Sequence, residues 1–398
     1  MKVVLCGQFE DACGYGNAAR NYLKAFDSNN ILKKIEFYIY NLSFESSNGL
    51  FLTNEERQLN DKYRLTNQKH KELIESKDFI LINFQVPHIP KQIISTSNQQ
   101  KDLNYKNLIE NAKKNITMVV WETDTVPEMW KDCVFNNIIV PCEWNRKTFS
   151  QGTKSNVFLL PYPVKKQEIK QNKKSKMFNI LSISQWTHRK GFDILLKAYC
   201  SEFFDDSDVC LTIKTYRNEV FNPNKEQERN HIIEDIKNYK SLIYDYNRTT
   251  NAKIKLISDV ISKDQIDSLY DEADVFCLAT RGEGFGLTIA EAASKGLPCI
   301  VPDKGGHIDF LDKDNNFMYE SYYSTVINCR SLYSSKNMKY VESNIDDLRL
   351  KMRTAYNLWK NNELHNIGKK SKVYIDNYLD DVTITNKFIE IMEKVANE

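Results

Sequence analysis

The chain has 398 residues, more than one ordinary hydrophobic core accommodates, so two domains are expected. A hydrophobic fraction of 41%, a charged fraction of 27% and a net charge of +2 fit a water-soluble protein and give no electrostatic reason for a nucleic-acid partner. No apolar run approaches the roughly 18–20 residues of a membrane span, which argues against a transmembrane helix and leaves peripheral membrane association open.

The opening "MKVVLCGQFE" has too short an apolar stretch for a secretory signal and reads as a first strand. A glycine turn follows in "EDACGYGNAARNYLKAF", where Gly14-Tyr15-Gly16 has the look of a nucleotide-binding turn, although a lone G-x-G is weakly specific. Residues 43–75 are polar and read as an insertion of loops and a helix. "FILINF", "ITMVVWE" and "NIIVPC" read as further buried strands of a first α/β domain, because short β-branched runs alternate with longer amphipathic stretches. His88 follows the first of these runs, and Glu122 and Asp124 close the second; strand-end polar residues of this kind are candidates to line a ligand site.

Residues 164–176, "VKKQEIKQNKKSK", are lysine-rich without apolar period and read as an interdomain linker. A second set of strands follows: "FNILSIS", "VCLTIK", "IKLISDV", "DVFCLAT" and "LPCIVPD". Two such domains are expected to leave a ligand cleft at the carboxyl ends of their sheets. The last stretch, "VTITNKFIEIMEKVANE", has Ile384, Phe388, Ile391, Met392 and Val395 at helical spacing and reads as a closing helix packed on protein.

Nine cysteines are present and none forms a C-x-x-C pair. Most lie in apolar runs, so buried reduced thiols and a cytoplasmic location are expected, with no metal site.

The densest chemistry lies in residues 281–306, "RGEGFGLTIAEAASKGLPCIVPDKGG". Here a strand leads through a glycine turn into a helix that Gly296 and Pro298 end. The first helical N–H groups, around Gly286, Leu287 and Thr288, lack intrahelical partners and suit phosphate oxygens. Glycines 282, 284 and 286 allow close approach of a ligand to the backbone. Glu283 and Glu291 flank this turn and are unsuited to phosphate, so they are expected to face hydroxyl groups on either side of it. A diphosphate flanked by polyols is a nucleotide sugar. Taken singly, Glu291 also reads as a first-turn acid and Glu283 as a loop residue. A second cationic turn, Arg189-Lys190-Gly191, follows "FNILSIS" and could neutralise a departing diphosphate, although an isolated R-K-G also reads as a solvated turn.

Residues 254–311, with the E-x(7)-E pair Glu283 and Glu291 inside their strand–turn–helix context, resemble the nucleotide-sugar site of the retaining glycosyltransferases of family 4. Looser similarity covers the glycine turn, "MVVWETDTVPEMW", "VPCEWNRKTFSQG" and the R-K-G segment. The resemblance implies a GT-B fold of α/β class. An acceptor domain would span residues 1–165 and a linker 166–176; a donor domain would span 177–375, and the last helix, 376–398, would cross back to the first domain. The linker and that crossing are the expected hinges, because they absorb backbone rotation without breaking a core.

By position, Glu283 would meet the donor sugar's hydroxyls and Glu291 the ribose. Lys190, an arginine and the amides of Gly286 to Thr288 would hold the diphosphate, and Val260 would lie beside the base. The Gly14–Gly16 loop would close over phosphate and acceptor, and His88, Glu122 and Asp124 would be candidates to line the acceptor site. The donor-binding set is then Gly14, Gly16, Val260, Gly284, Phe285, Gly286, Leu287, Thr288 and Glu291, with Glu283, Lys190 and Arg189 as catalytic groups.

The sequence departs from the resemblance at Gln185, where many members have the arginine; Arg189 would supply the guanidinium instead. No cofactor or metal is implied: the compact Asp206-Ser207-Asp208 precedes a strand and reads as a loop. The expected activity is transfer of a hexose-type sugar from a UDP- or GDP-sugar to a saccharide or glycoconjugate, with retention. The departing phosphate would take the acceptor's proton. A nucleotide-sugar epimerase, a phosphorylase and a non-catalytic sugar-binding scaffold share the fold and remain alternatives.

Overall fold

A computed structural model describes residues 1–29, 35–42, 51–90, 92, 100–169, 176–217, 224–243, 252–326 and 337–398. The chain forms two compact units. The first comprises Met1–Val164, Val326–Met338 and Leu379–Glu398; the second comprises Lys165–Thr325 and Lys339–Tyr378.

The first unit runs β1 (Lys2–Gly7), α1 (Gly14–Ser28), β2 (Glu36–Asn41), α2 (Asn54–Tyr63), α3 (Asn67–Ser76), β3 (Ile80–Phe84), α4 (Gln100–Asn111), β4 (Lys114–Met118), α5 (Glu128–Lys131), β5 (Asn137–Val140), α6 (Glu143–Gly152) and β6 (Asn156–Leu159). Its six strands form one parallel sheet in the order β2-β1-β3-β4-β5-β6. The apolar run Val3 to Cys6 is buried on both faces, as a central parallel strand requires.

Two of these strands are additions to the sequence reading. β2, "EFYIYN", alternates in burial and carries polar residues, and β6, "NVFL", is a four-residue strand at the sheet edge with no fully buried residue. Neither presents the continuous apolar run that marks a central strand. The polar region 43–75 holds two helices rather than one. α2 starts on a reciprocal capping box between Thr53 and Glu56, and Thr66 caps α3. Residues 43–50 lie outside the described residues.

The second unit begins with β7 (Phe178–Ile183), α7 (Phe192–Glu202), β8 (Val209–Lys214), α8 (Lys225–Ser241), β9 (Lys253–Ile257), α9 (Lys263–Glu272), β10 (Val275–Cys277), α10 (Leu287–Ser294), β11 (Cys299–Pro302) and β12 (Phe317–Tyr319). An antiparallel pair, β13 (Ser321–Thr325) and β14 (Lys339–Ser343), follows, then α11 (Ile345–Lys360) and α12 (Leu364–Tyr378). The parallel sheet has the order β12-β11-β10-β7-β8-β9. Its core joins Phe178, Ile180, Leu211, Ile213 and Val275 to Leu195 and Tyr199 of α7 and Leu348, Met352 and Trp359 of α11.

The chain winds outward from β7 in both directions, so strand order reverses between β7 and β10. Their carboxyl ends form a topological switch point, where open parallel sheets bind ligands.

The closing helix, α13 (Asp381–Asn397), belongs to the first unit, where Phe388 stacks on Phe26 of α1 with ring centroids 4.4 Å apart. Its five expected apolar contacts, Ile384, Phe388, Ile391, Met392 and Val395, are buried. Linker residues 170–175 lie outside the described residues. Eight of the nine cysteines lie among the described residues, and no disulfide joins any two of them.

Candidate functional site

Two loops meet at the switch point of the second unit. After β7, His188–Lys190 make a single 3₁₀ turn that ends at Gly191, whose φ of +66° is left-handed. A Cβ on Gly191 would stand 1.7 Å from the Ala279 carbonyl oxygen. Glycine is therefore required both by conformation and by the close approach of this turn to the segment after β10. Two hydrogen bonds join the loops: the Arg281 backbone N–H donates to the Arg189 carbonyl at 2.7 Å, and the Arg189 guanidinium donates to the Gly282 carbonyl at 2.7 Å.

This contact brings Arg189 and Lys190 onto Glu283. The Lys190 ammonium donates to Glu283 Oε1, and the Arg189 guanidinium lies 3.9 Å from the same oxygen. Glu283 is 6% exposed. Burial pushes its carboxyl pKa up, but Lys190 and Arg189 outweigh burial and hold it below the ordinary carboxylate value. Glu283 is thus an ionised group in a closed charge cluster.

Beyond Glu283 the backbone turns at Gly286, with φ +94°, into α10. No side chain caps this helix start, and the first intrahelical bond runs from the Ala290 N–H to the Gly286 carbonyl. The amide end of α10 therefore faces the same carboxyl edge with its dipole positive. Gly284 and Phe285 are buried in the turn, Phe285 against Phe310, while Leu287 and Thr288 are half-buried. Glu291 is half-buried in α10, and its Oε2 accepts from the Tyr270 hydroxyl at 2.9 Å. Burial raises its pKa more than the Tyr270 hydrogen bond lowers it. Val260 is half-buried in the loop between β9 and α9.

Gln185, where the resemblance to many family members implies an arginine, donates to the Arg217 carbonyl at 3.0 Å, and it is Arg189 that sets a guanidinium beside Glu283. Asp206 is ion-paired with Arg353 at 2.8 Å, and Asp208 with Lys360, so both aspartates of the D-x-D act within the fold. No group of three or more His, Cys, Asp or Glu side chains suited to a metal occurs among the described residues.

The remaining sequence candidates lie in the first unit. Gly14 and Gly16 are not in a loop: they occupy the first turn of α1, whose N-cap is Cys13. A Cβ on Gly16 would stand 2.2 Å from the Asp11 carbonyl oxygen and 2.7 Å from that of Gln8, so this glycine admits the chain's own 8–11 backbone. A Cβ on Gly14 meets nothing within 4 Å. His88 accepts from the Trp130 indole at 3.1 Å and stacks on that ring; burial keeps its pKa below the usual histidine value. Glu122 and Asp124 are half-buried beyond β4, with Asp124 accepting from the Thr125 hydroxyl at 3.1 Å.

Two residues of the site escape sequence reasoning. Arg281 is 5% exposed and makes a bidentate pair with Asp193, 2.8 Å in each arm. It also donates to Glu342 at 2.9 Å and to the His188 carbonyl at 2.7 Å. It clamps the Arg189–Lys190 turn from both ends. Its partners are 88 and 61 residues away, a separation no local pattern reveals. His307 is fully buried behind the turn, its Nε2 2.8 Å from the Pro302 carbonyl and its Nδ1 without a hydrogen-bond partner among the described residues. That contact makes Nε2 the protonated nitrogen.

Residues 164–328 match the family described as Glycosyl transferases group 1, a stretch that includes the whole six-stranded sheet of the second unit. No curated protein matches the chain. Among solved structures, the chain is similar to S. aureus TarM in complex with fondaparinux, alpha-GlcNAc-glycerol and UDP (TM-score 0.55, 18% identity), covering 83% of this chain but only 58% of that protein. It is similar to Anabaena HepE in complex with UDP and glucose (TM-score 0.60, 12% identity), covering 99% of this chain and 100% of that one. An E. coli structure, trehalose-6-phosphate bound with UDP-2-fluoro glucose, gives a TM-score of 0.62 at 11% identity, over 100% and 99% of the two chains. The fold is GT-B, and with the family match it supports a sugar transferase.

Proposed function

We propose that the chain moves a hexose-type sugar from a UDP- or GDP-sugar to a saccharide on a glycan, lipid or protein, with retention and without a metal. The observation that carries this reading is the meeting of Glu283, Lys190 and Arg189 beside the uncapped start of α10. Donor phosphates compete with Glu283 for the two cations, while α10 amides take the remaining oxygens. Glu283, released in part, accepts from sugar hydroxyls, and Glu291 accepts from the ribose. Val260 borders the base. His88, Glu122 and Asp124 serve the acceptor.

In the reaction, the bond from the anomeric carbon to the diphosphate oxygen breaks and a bond to the acceptor oxygen forms on the same face. The acceptor's proton passes to the departing phosphate. Lys190, Arg189 and the α10 dipole stabilise the charge that develops on that phosphate, which is the work of a preorganised cation.

A thermal-shift panel of UDP, GDP, ADP and their sugars tests the donor site: a ligand at 100 times its Kd stabilises by about 2.7 kcal/mol. Incubating the preferred nucleotide sugar with saccharide acceptors and assigning the product's anomeric configuration by NMR tests the transfer. Absence of any nucleotide shift overturns the reading. Isomerised donor without acceptor favours an epimerase, and phosphate acting as the acceptor favours a phosphorylase.

A further inference from the structure

The strand β8, "VCLTIK", ends on a lysine that the catalytic reading leaves unused. Lys214 is 8% exposed, comparable with Arg281 at 5% and Glu283 at 6%. Those two groups are ion-paired. Lys214 makes no hydrogen bond or ion pair among the described residues. Asp259 attracts it from beyond ion-pair distance, but Asp259 lies 3.7 Å from Arg229, and Lys225 repels the ammonium. Burial is the largest influence on Lys214 and keeps its pKa below the usual lysine value. An unpaired buried ammonium is costly, and the cost is relieved when an anion completes it.

Its position says which anion. In the sheet register Lys214 pairs with Ile183 at the end of β7 and with Ile257 at the end of β9, so it stands on the carboxyl edge. β8 lies between the strand that feeds Arg189 and Lys190 and the strand that feeds Val260. Next to it, the Ser184 hydroxyl, on a residue 9% exposed, is a second buried polar group without a partner among the described residues, and the Ser184 N–H donates to the Lys214 carbonyl at 3.2 Å. With the diphosphate at α10 and the Arg189–Lys190 turn, the ribose at Glu291 and the base beside Val260, the α-phosphate is the phosphate nearer the base and so the charged group on the β8 side.

We propose that Lys214 is a third donor-site cation that contacts the α-phosphate of the nucleotide. This rests on the donor pose stated above. It adds a residue that binds the nucleotide itself, whatever sugar the nucleotide carries.

The test uses the full chain and whichever of UDP and GDP the wild type binds more tightly, with the monophosphate and the nucleoside of the same base. Lys214→Met keeps the aliphatic stem and removes the charge. Calorimetry is expected to show the diphosphate and monophosphate weakened about tenfold or more, as loss of a charged hydrogen bond implies, with nucleoside affinity unchanged. Lys214→Arg is expected to recover part of the loss. The ligand-free melting temperature of Lys214→Met should equal or exceed that of wild type, because no pairing is lost; a marked fall would instead give the ammonium a structural role and overturn the proposal. Diphosphate affinity unchanged in Lys214→Met also overturns it while leaving the donor site standing. An equal loss for the nucleoside moves the contact to the base or ribose and overturns the α-phosphate assignment. Should Lys214→Met not fold, Lys214→Gln gives the same comparison. Failure of wild type to bind either diphosphate removes the donor pose and this proposal together.

Discussion

Lys190 and Glu283 are 93 residues apart in the chain and hydrogen-bonded in the fold, with Arg189 3.9 Å from the same carboxylate oxygen. The carboxylate thus holds in place the two cations that, in the proposed donor site, a diphosphate would use.

Removing Lys190 takes away a preorganised charge donor. Lys190→Ala is expected to lower kcat on the order of 10²-fold, beyond any change in donor affinity. Arg189→Ala should reduce kcat while Gln185→Ala stays near wild type, since Gln185 is engaged with the Arg217 carbonyl. Steady-state kinetics of the three variants decide this; a damaging Gln185→Ala with a silent Arg189→Ala would reverse the assignment.

The two glutamates should respond to pH in opposite senses. Glu283 has a folded pKa below its unfolded value near 4.5, so its stabilisation is present above that value and is lost as pH falls through the folded pKa. Glu283→Gln is therefore expected to melt below wild type at neutral pH, with the gap closing on acidification. Glu291 has a raised pKa, so its ionised form costs stability above the folded pKa, and the cost is gone below the unfolded value. Glu291→Gln should melt above wild type at neutral pH and lose that gain in acid. The same variant should bind the nucleotide diphosphate more weakly, if Glu291 holds the ribose. Melting curves across pH, with and without nucleotide, read both effects.

In the proposed reaction Arg281 acts through the turn it clamps. Arg281→Met is expected to cost turnover on the order of tenfold or more, because small displacements of Lys190 and Arg189 weaken charge stabilisation. Arg281→Lys keeps the charge but not the bidentate fork and should recover only part of the rate. A role confined to stability would lower the melting temperature and leave kcat of the folded fraction unchanged.

The glycines of α1 separate by substitution. Gly16→Val should destabilise the first unit, because its Cβ would enter the carbonyl oxygens of Asp11 and Gln8, whereas Gly14→Ala should melt like wild type. Nucleotide affinity measured on folded Gly16→Val should stay close to wild type, as the proposed donor residues Glu283, Lys190 and Glu291 all lie in the second unit. Loss of nucleotide binding in that folded variant would move the donor to the first unit.

The sequence alone determined the class of the fold and the location of the turn that matters. Buried parallel strands must be continuous β-branched runs, and "FILINF", "FNILSIS" and "DVFCLAT" are legible for that reason. "RGEGFGLTIAEAASKG" is legible because glycine, helix start and helix stop are local signals. The edge strands β2 and β6 were not, since an edge strand needs only half the apolar surface and its neighbour supplies the register. Gly14 and Gly16 had the pattern of a ligand loop, yet only the packed path of residues 8–11 decides that Gly16 serves the chain's own backbone. The charge cluster was beyond local reading altogether. Lys190 meets Glu283, Arg281 meets Asp193 and Glu342, and Lys214 stands at the carboxyl ends of the strands through strand order, which is set by how β7 to β12 pack and not by any spacing along the chain.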